Sequence, residues 1–271
     1  YAMNTEFDLI TQLTQNFPTY HPLHTGIGDD GAVIELPNGD FQIITTDTLV
    51  EGDHFRQDWS TPEQIGQKAM EVNASDIAAM GAVPTYAFIS LVLTESTKDD
   101  WIKNVYKGIK KSCIKHHITL AGGDTTHGKI AMISITLFGT AKKNDLCLRS
   151  CAQPGDFICV TGEVGGSSAG YFLYKNIDQE KPILKNLNEA FEKYPYIKNR
   201  HLQPKCRLEA SKLIKKLVQS MIDVSDGVAS ETKHIAKNSG LGAKIYAEKL
   251  PVHREVLAVE KLLNLTAYQC A

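Results

Sequence analysis

Thr61-Pro-Glu-Gln-Ile-Gly-Gln-Lys-Ala-Met-Glu-Val-Asn-Ala-Ser-Asp-Ile-Ala-Ala-Met-Gly-Ala-Val-Pro84, followed by Thr85-Tyr-Ala-Phe-Ile-Ser-Leu-Val-Leu93, decides the fold. The first part predicts a helix, because Thr61 can cap free N–H groups, Pro62 suits a first turn and Glu63 faces the positive helix end. Ile65, Ala69, Val72 and Ala79 recur near helical spacing, and Gly81 before Pro84 ends the run. Residues 86–93 then read as a strand. The alternation continues outward. Residues 32–36 and 41–50 predict a hairpin about Pro37-Asn38-Gly39, since Asn-Gly accepts the positive φ of a tight turn. Residues 99–117 predict an amphipathic helix with Trp101, Ile102, Val105, Ile109 and Cys113 on one face, and 118–121 and 130–140 predict strands. A second series follows: a strand at 157–161, a glycine-rich turn into a helix at 162–170 and a solvated helix at 175–198. Helices at 205–218 and 228–238 then flank a short strand at Met221-Ile222. Strands alternating with helices in both halves predict an α/β (α+β) architecture in two domains, 1–148 and 149–271.

A length of 271 residues supports two domains. Lys+Arg number 29 against 31 Asp+Glu, a net charge of -2, so nothing draws the chain as a whole to nucleic acid or an anionic membrane. No apolar run approaches the roughly 20 residues of a bilayer span, and no basic-then-apolar start marks a secretory signal. Six cysteines without a Cys-x-x-Cys pair suit a reducing cytoplasm. The expectation is a soluble, cytoplasmic enzyme.

The carboxylates point to the chemistry. Gly28-Asp29-Asp30-Gly31, Thr45-Thr46-Asp47 through Gly52-Asp53-His54, Asn73-Ala74-Ser75-Asp76, Gly122-Gly123-Asp124-Thr125-Thr126 and Asp223-Val224-Ser225-Asp226-Gly227 all set acids beside small residues. All but the Asp76 segment fall at predicted strand ends or turns. Asp beside Gly or Ser also serves ordinary turns and caps. Yet none of the five segments holds Lys or Arg, and gathered carboxylates repel one another unless a cation joins them. Hard divalent ions want such oxygen ligands, and Mg²⁺ takes a few carboxylates with water and phosphate completing its shell. Asp76 matters most, because it sits inside a helix beside Ile77 and Ala78, where a lone carboxylate is costly.

Other motifs fail on context. Gly26-Ile-Gly28-Asp-Asp-Gly31 fits a dinucleotide fingerprint, but its two acids would repel a pyrophosphate and a strand follows. Gly123-Asp-Thr-Thr-His-Gly128-Lys129 approaches a P-loop, but Ile130 replaces the required hydroxyl. No zinc cluster and no Gly-x-Ser-x-Gly elbow occur. From the residues alone, the chain reads as an α/β enzyme that binds a phosphorylated ligand through several Mg²⁺ ions and transfers a phosphoryl group.

Gly26-Ile-Gly-Asp-Asp30, Thr45-Thr-Asp-Thr-Leu-Val-Glu-Gly-Asp-His-Phe55, Val72-Asn-Ala-Ser-Asp-Ile-Ala-Ala-Met-Gly-Ala82, Gly122-Gly-Asp-Thr-Thr126 and Ile222-Asp-Val-Ser-Asp-Gly227 together resemble the thiamine-monophosphate kinase family, within the aminoimidazole ribonucleotide synthetase-like superfamily. The resemblance implies an N-terminal domain that dimerises into a β-barrel, a C-terminal α/β domain, and ATP-dependent phosphorylation of thiamine monophosphate to thiamine diphosphate. Carried over residue by residue, it implies Mg²⁺ binding by Asp30, Thr45, Thr46, Asp47, Asp76, Asp124, Asp223 and Asp226. It further implies ATP contacts from Tyr106, Gly123, Asp124, Arg149 and Ser225, and a substrate contact from His54. No side chain is expected to act as general base, because the acceptor phosphate is already mostly dianionic.

Two departures accompany the resemblance. Gly31 stands where the family more often has Ala or another small side chain. The family continues past Leu265-Thr-Ala-Tyr-Gln-Cys-Ala271 with further substrate-binding residues, so a C-terminal extension is expected, and Tyr1-Ala2 reads as a cloning scar. Two alternatives stay open: another ATP-dependent synthetase of the superfamily, purine-pathway or selenophosphate type, and a non-catalytic nucleotide or Mg²⁺ sensor. Leu49-Val-Glu-Gly-Asp-His-Phe55, in place of the purine enzyme's Gly-Thr-Lys element, favours the thiamine enzyme.

Overall fold

The computed structural model describes residues 6–178 and 192–271. Its centre is one six-stranded sheet of β1 (Leu23–Thr25), β2 (Ala32–Glu35), β3 (Phe41–Val50), β4 (Val83–Leu93), β5 (Thr119–His127) and β6 (Met132–Ala141). The spatial order is β1-β2-β3-β6-β4-β5. Every pairing is antiparallel except β4 with β5. A parallel pair needs a long crossover, and helix α3 (Asp99–His116) supplies it. The predicted hairpin forms as β2 and β3, with Gly39 at φ 81° in its turn.

Helix α2 (Pro62–Ala79) starts where the sequence says it should. Thr61 and Gln64 form a reciprocal capping box, and Gly81 at φ 68° ends the segment. Ile65, Ala69, Met70, Ile77 and Met80 bury one face of this segment against Ile43, Ile133, Ile135 and Leu137 of the sheet, all 1% exposed or less. Alternation along β6 sends Ile133, Ile135 and Leu137 into that core and leaves Ser134 and Thr136 on the other face. Helices α2 and α3 touch backbone to backbone at a pair of glycines. A Cβ on Gly66 would lie 2.0 Å from the Val105 carbonyl oxygen, and one on Gly108 would lie 1.9 Å from that of Glu63.

A second apolar cluster gathers Ala169 and Leu173 of α4 (Gly166–Asp178), Ile197 of α5 (Pro195–Leu202), Val256 and Val259 of α8 (Arg254–Leu263) and Ala267 of α9 (Ala267–Cys270). Between these, α6 (Leu208–Ile214) and α7 (Val228–Asn238) lie against the first half. Ser211 Oγ donates to the Ala78 carbonyl at 2.6 Å, and Lys215 pairs with Asp145 at 2.8 Å. Asn238 Nδ2 donates to the Gly28 carbonyl at 3.0 Å. The firmest tie is Glu71 on α2, 5% exposed. It meets Ser112 Oγ at 2.9 Å, Lys115 Nζ at 2.9 Å, His116 Nε2 at 3.0 Å and the backbone N–H of Cys206 at 2.7 Å. Burial raises the pKa of this carboxyl, but the His116, Lys115 and Cys206 bonds outweigh burial and hold it at about 2.

The structure corrects several expectations. Gly122-Gly123-Asp124 is not a turn: β5 runs through it, paired with Phe88, Ile89 and Ser90. Glycine is required there by approach, since a Cβ on Gly123 would lie 1.8 Å from the Ile89 carbonyl oxygen. Asp47 lies inside β3 and not at its end. Residues 157–161 and Met221-Ile222 are not strands. Phe157 is 94% exposed, and no strand edge among the described residues offers these segments hydrogen bonds. The helix expected at 205–218 is shorter, Leu208–Ile214. Of the predicted helix at 175–198, residues 179–191 lie outside the described residues. All six cysteines are free, and among the described residues no helix is long and apolar enough to cross a membrane.

Candidate metal and phosphate site

Asp30 follows β1, Asp76 lies in the last turn of α2, and Asp223 follows α6. The fold brings one carboxylate oxygen of each within 4.8 Å of the others. Thr45 on β3 donates from Oγ1 to Asp76 Oδ2 at 2.6 Å. Ser75 hydrogen-bonds Asp223. The Asp47 backbone N–H donates to Asn73 Oδ1 at 3.1 Å, and Asn73 Nδ2 anchors on the Ala69 carbonyl at 2.9 Å, so β3 and α2 are locked together beside the acids.

The electrostatics record three acids in too little space. Burial, then repulsion from Asp223 and Asp47, pushes Asp76 far above the ordinary carboxylate range. Asp223 rises through burial, with Glu231 and Asp47 adding repulsion against the Ser75 bond. Burial lifts Asp30 to about 7 despite the hydrogen bond from Arg149. Asp47 is raised by burial, with a nearby His54 pulling the other way. Asp30 Oδ2 is buried and has no hydrogen-bond partner. An orphaned oxygen among mutually repelling carboxylates fits a hard cation with oxygen preference, and Mg²⁺ matches the donor set.

The remaining candidates divide. Arg149 Nη2 donates to Asp30, its backbone N–H donates to Asp29 Oδ2 at 3.0 Å, and its buried Nε makes no hydrogen bond but lies 4.0 Å from Asp29 Oδ1. Tyr106, Gly123 and Asp124 line one cleft of about 500 Å³ beside β5. Asp124 is exposed there and accepts from the Thr125 N–H at 2.8 Å. Thr46 turns its side chain to the face opposite Thr45 and Asp47, where it accepts from Thr136 Oγ1 at 3.2 Å. Ser225 Oγ and the Asp226 N–H both reach Glu231 Oε1, at 3.4 and 3.0 Å, and Asp226 stands outside the three-acid cluster. His54 Nδ1 accepts the Val50 N–H at 3.2 Å, which leaves Nε2–H as its outward donor.

Sequence reasoning did not single out Asp29, Asn73, Ser75 or Glu231. Asn73 and Ser75 stood in an acidic segment already marked, and Asn73, three positions before Asp76 on one helix and so on its face, was the available signal.

The chain matches two families, "AIR synthase related protein, N-terminal domain" over residues 28–141 and "AIR synthase related protein, C-terminal domain" over residues 153–269. It is 37% identical over 254 residues to the thiamine-monophosphate kinase of Bacillus subtilis (strain 168), covering 93% of this chain and 76% of that protein. Its fold is similar to the crystal structure of thiamine monophosphate kinase from Aquifex aeolicus, with a TM-score of 0.81 and 29% identity over 98% of this chain and 82% of that one. A solved structure described as AaThiL complexed with AMPPCP and TMP is similar at a TM-score of 0.82 and 30% identity, over 98% and 79% of the two chains. With both domain signatures present and the sequence similarity spanning most of its length, the chain belongs to the thiamine-monophosphate kinase family of AIR synthase related proteins.

Proposed function

We infer that this chain transfers the γ-phosphoryl group of ATP to thiamine monophosphate, giving thiamine diphosphate and ADP. The observation that carries the reading is the Asp30–Asp76–Asp223 cluster, with an orphaned oxygen, in the fold of this kinase family. The chain is an enzyme, a phosphotransferase whose acceptor is itself a phosphate. The bond from Pγ to the bridging β-oxygen breaks while a bond from Pγ to an acceptor phosphate oxygen forms. Bound Mg²⁺ would neutralise charge between two anionic reactants, the main difficulty of the step. Asp30, Asp76 and Asp223 hold such ions, with Thr45 and Ser75 fixing the orientation of two of the three acids. Asp47, Asp124 and Asp226 complete the ligand set, together with the main-chain oxygen of Thr46, whose side chain faces away.

Tyr106, Gly123 and Asp124 form part of the nucleotide site, supported by their shared cleft, with Arg149 and Ser225 assigned to the same ATP. His54 donates from Nε2 to the acceptor and takes no proton from it, because a phosphate with a second pKa of about 6 is mostly dianionic at neutral pH. The domain boundary falls at 148/149, which the two separate apolar clusters support. The enzyme works as a homodimer in the cytoplasm, with two N-terminal sheets closing into a barrel. Supporting the dimer, Tyr86 and Phe88 stand 53% and 42% exposed on the sheet, and every residue of edge strand β5 is exposed. Neither nucleic acid nor a membrane is a partner. The deciding experiment is a chromatographic assay for thiamine diphosphate from MgATP and thiamine monophosphate, with unphosphorylated thiamine as control. Equal turnover of thiamine would overturn the assignment.

A further inference from the structure

We propose that the ammonium of Lys68 is a binding group for the acceptor's phosphate, presented at the wall of an aromatic cavity beside His54. The inference rests on reading the chain as a thiamine-monophosphate kinase. The cavity holds about 190 Å³, and its walls include His54, Arg56, Trp59, Lys68, Tyr171 and His201. Three cations border it, and two are engaged. Arg56 bonds Asp58 from Nε at 3.0 Å and covers the Trp59 ring at 4.5 Å, while Lys175 covers the Tyr171 ring at 5.5 Å. Lys68 Nζ meets only the backbone carbonyl of His54, at 2.8 Å, and pairs with no carboxylate among the described residues. An ammonium carries three donors, so two remain.

The surroundings favour an anion at this point. Burial drives the Lys68 pKa down to about 8, the cost of holding a charge away from water without a counter-ion. Burial, reinforced by Lys68, drives His201 down to about 3, so that ring stands as a neutral wall. Trp59 keeps a buried indole N–H without a partner. Trp59 meets Tyr171 edge-on at 6.3 Å and Tyr171 meets His201 at 5.8 Å, so one wall of the cavity is aromatic. The cavity also adjoins the acids, since His54 acts electrostatically on Asp47, which in turn acts on Asp76 and Asp223. A phosphate bound by Lys68 and the His54 Nε2–H would therefore stand between the rings and the metal-binding carboxylates.

The alternative is that Lys68 only braces the loop at His54. Lys68→Gln separates the two, because glutamine can still donate to the His54 carbonyl but carries no charge. Lys68→Met removes both, and Lys68→Arg keeps a cation. The readout is titration calorimetry of the whole chain with Mg²⁺ and no nucleotide, using thiamine monophosphate and thiamine as probes. Loss of a charge-assisted hydrogen bond should weaken thiamine monophosphate at least about tenfold in the Gln and Met variants, leave thiamine within about twofold, and largely spare the Arg variant. If Lys68→Met does not fold, Lys68→Gln alone carries the comparison. Equal weakening of both probes, or no weakening of thiamine monophosphate, overturns the proposal. A wild-type chain that forms no thiamine diphosphate would instead refute the kinase reading itself, which this titration does not test.

Discussion

Thr45 Oγ1 donates a 2.6 Å hydrogen bond to Asp76 Oδ2, joining the middle of β3 to a residue 31 positions later on α2. The bond fixes a carboxylate in a place where burial and three other acids, Asp223, Asp47 and Asp30, oppose its charge. In the metal-free protein the raised pKa values of Asp30, Asp76 and Asp223 mean that the folded state binds more protons than the unfolded chain above pH about 4. Stability contributed by these groups is then greatest in mild acid and falls as pH rises through their folded pKa values. We expect the melting temperature of the metal-free chain to fall between pH 5 and 8.5, and added Mg²⁺ to restore it most at the alkaline end. Scanning fluorimetry at several pH values, with and without Mg²⁺, checks this. A flat profile would count against the cluster.

Asp76→Asn and Asp47→Asn should each lower turnover by at least about a hundredfold, since each removes a charge that would hold Mg²⁺. Each also relieves repulsion, so the metal-free variants should melt no lower than the wild type. Turnover assays beside metal-free melts give both numbers. A large loss of apo stability with activity kept would assign these acids to structure alone.

His54→Gln should raise the KM for thiamine monophosphate by about tenfold, the value of one hydrogen bond to a charged group, while kcat changes less. The acid limb of the pH–rate profile should stay near the acceptor's own pKa of about 6. Loss of that limb, together with several orders of magnitude in kcat at saturation, would make His54 a general base.

Glu71→Ala should cost about 3 kcal/mol, because it leaves His116 and Lys115 facing an empty buried site and frees the Cys206 amide. The carboxyl sits at about 2 in the fold, below its ordinary 4.5. Its contribution is therefore complete above pH about 4.5 and drains away as pH falls toward 2. Urea unfolding at pH 7 and at pH 3 should show a smaller gap between wild type and Glu71→Gln at the lower pH.

Phe88 packs edge-to-face on Phe138 at 5.8 Å and is still 42% exposed. Phe88→Asp should convert a dimer to a monomer in light scattering at micromolar concentration, with little change in helix content. A wild-type monomer would sink the barrel arrangement.

Local chemistry was legible where it decided the outcome. Thr61, Pro62 and Glu63 marked the start of α2, Asn38-Gly39 marked the hairpin, and acidic segments without Lys or Arg marked Asp30, Asp76 and Asp223 before any geometry was known. What escaped depended on partners far away in the chain. Gly122-Gly123 carries turn chemistry, and only the close passage of the Ile89 backbone makes it strand. Residues 157–161 have a strand's pattern but no neighbour among the described residues to pair with. Arg149 and Asp30 stand 119 positions apart, and Tyr171 and His201 reach Trp59 from the other half of the chain, pairings to which no local spacing is sensitive.

The glycine contact between α2 and α3 sets a measuring length. Gly66 and Gly108 let α2 lie backbone to backbone against α3, and α2 carries both Lys68 and Asp76. At 1.5 Å per residue their Cα atoms lie about 12 Å apart along the axis. A ligand that touches both Lys68 and the acid cluster therefore meets a spacing set within a single helix.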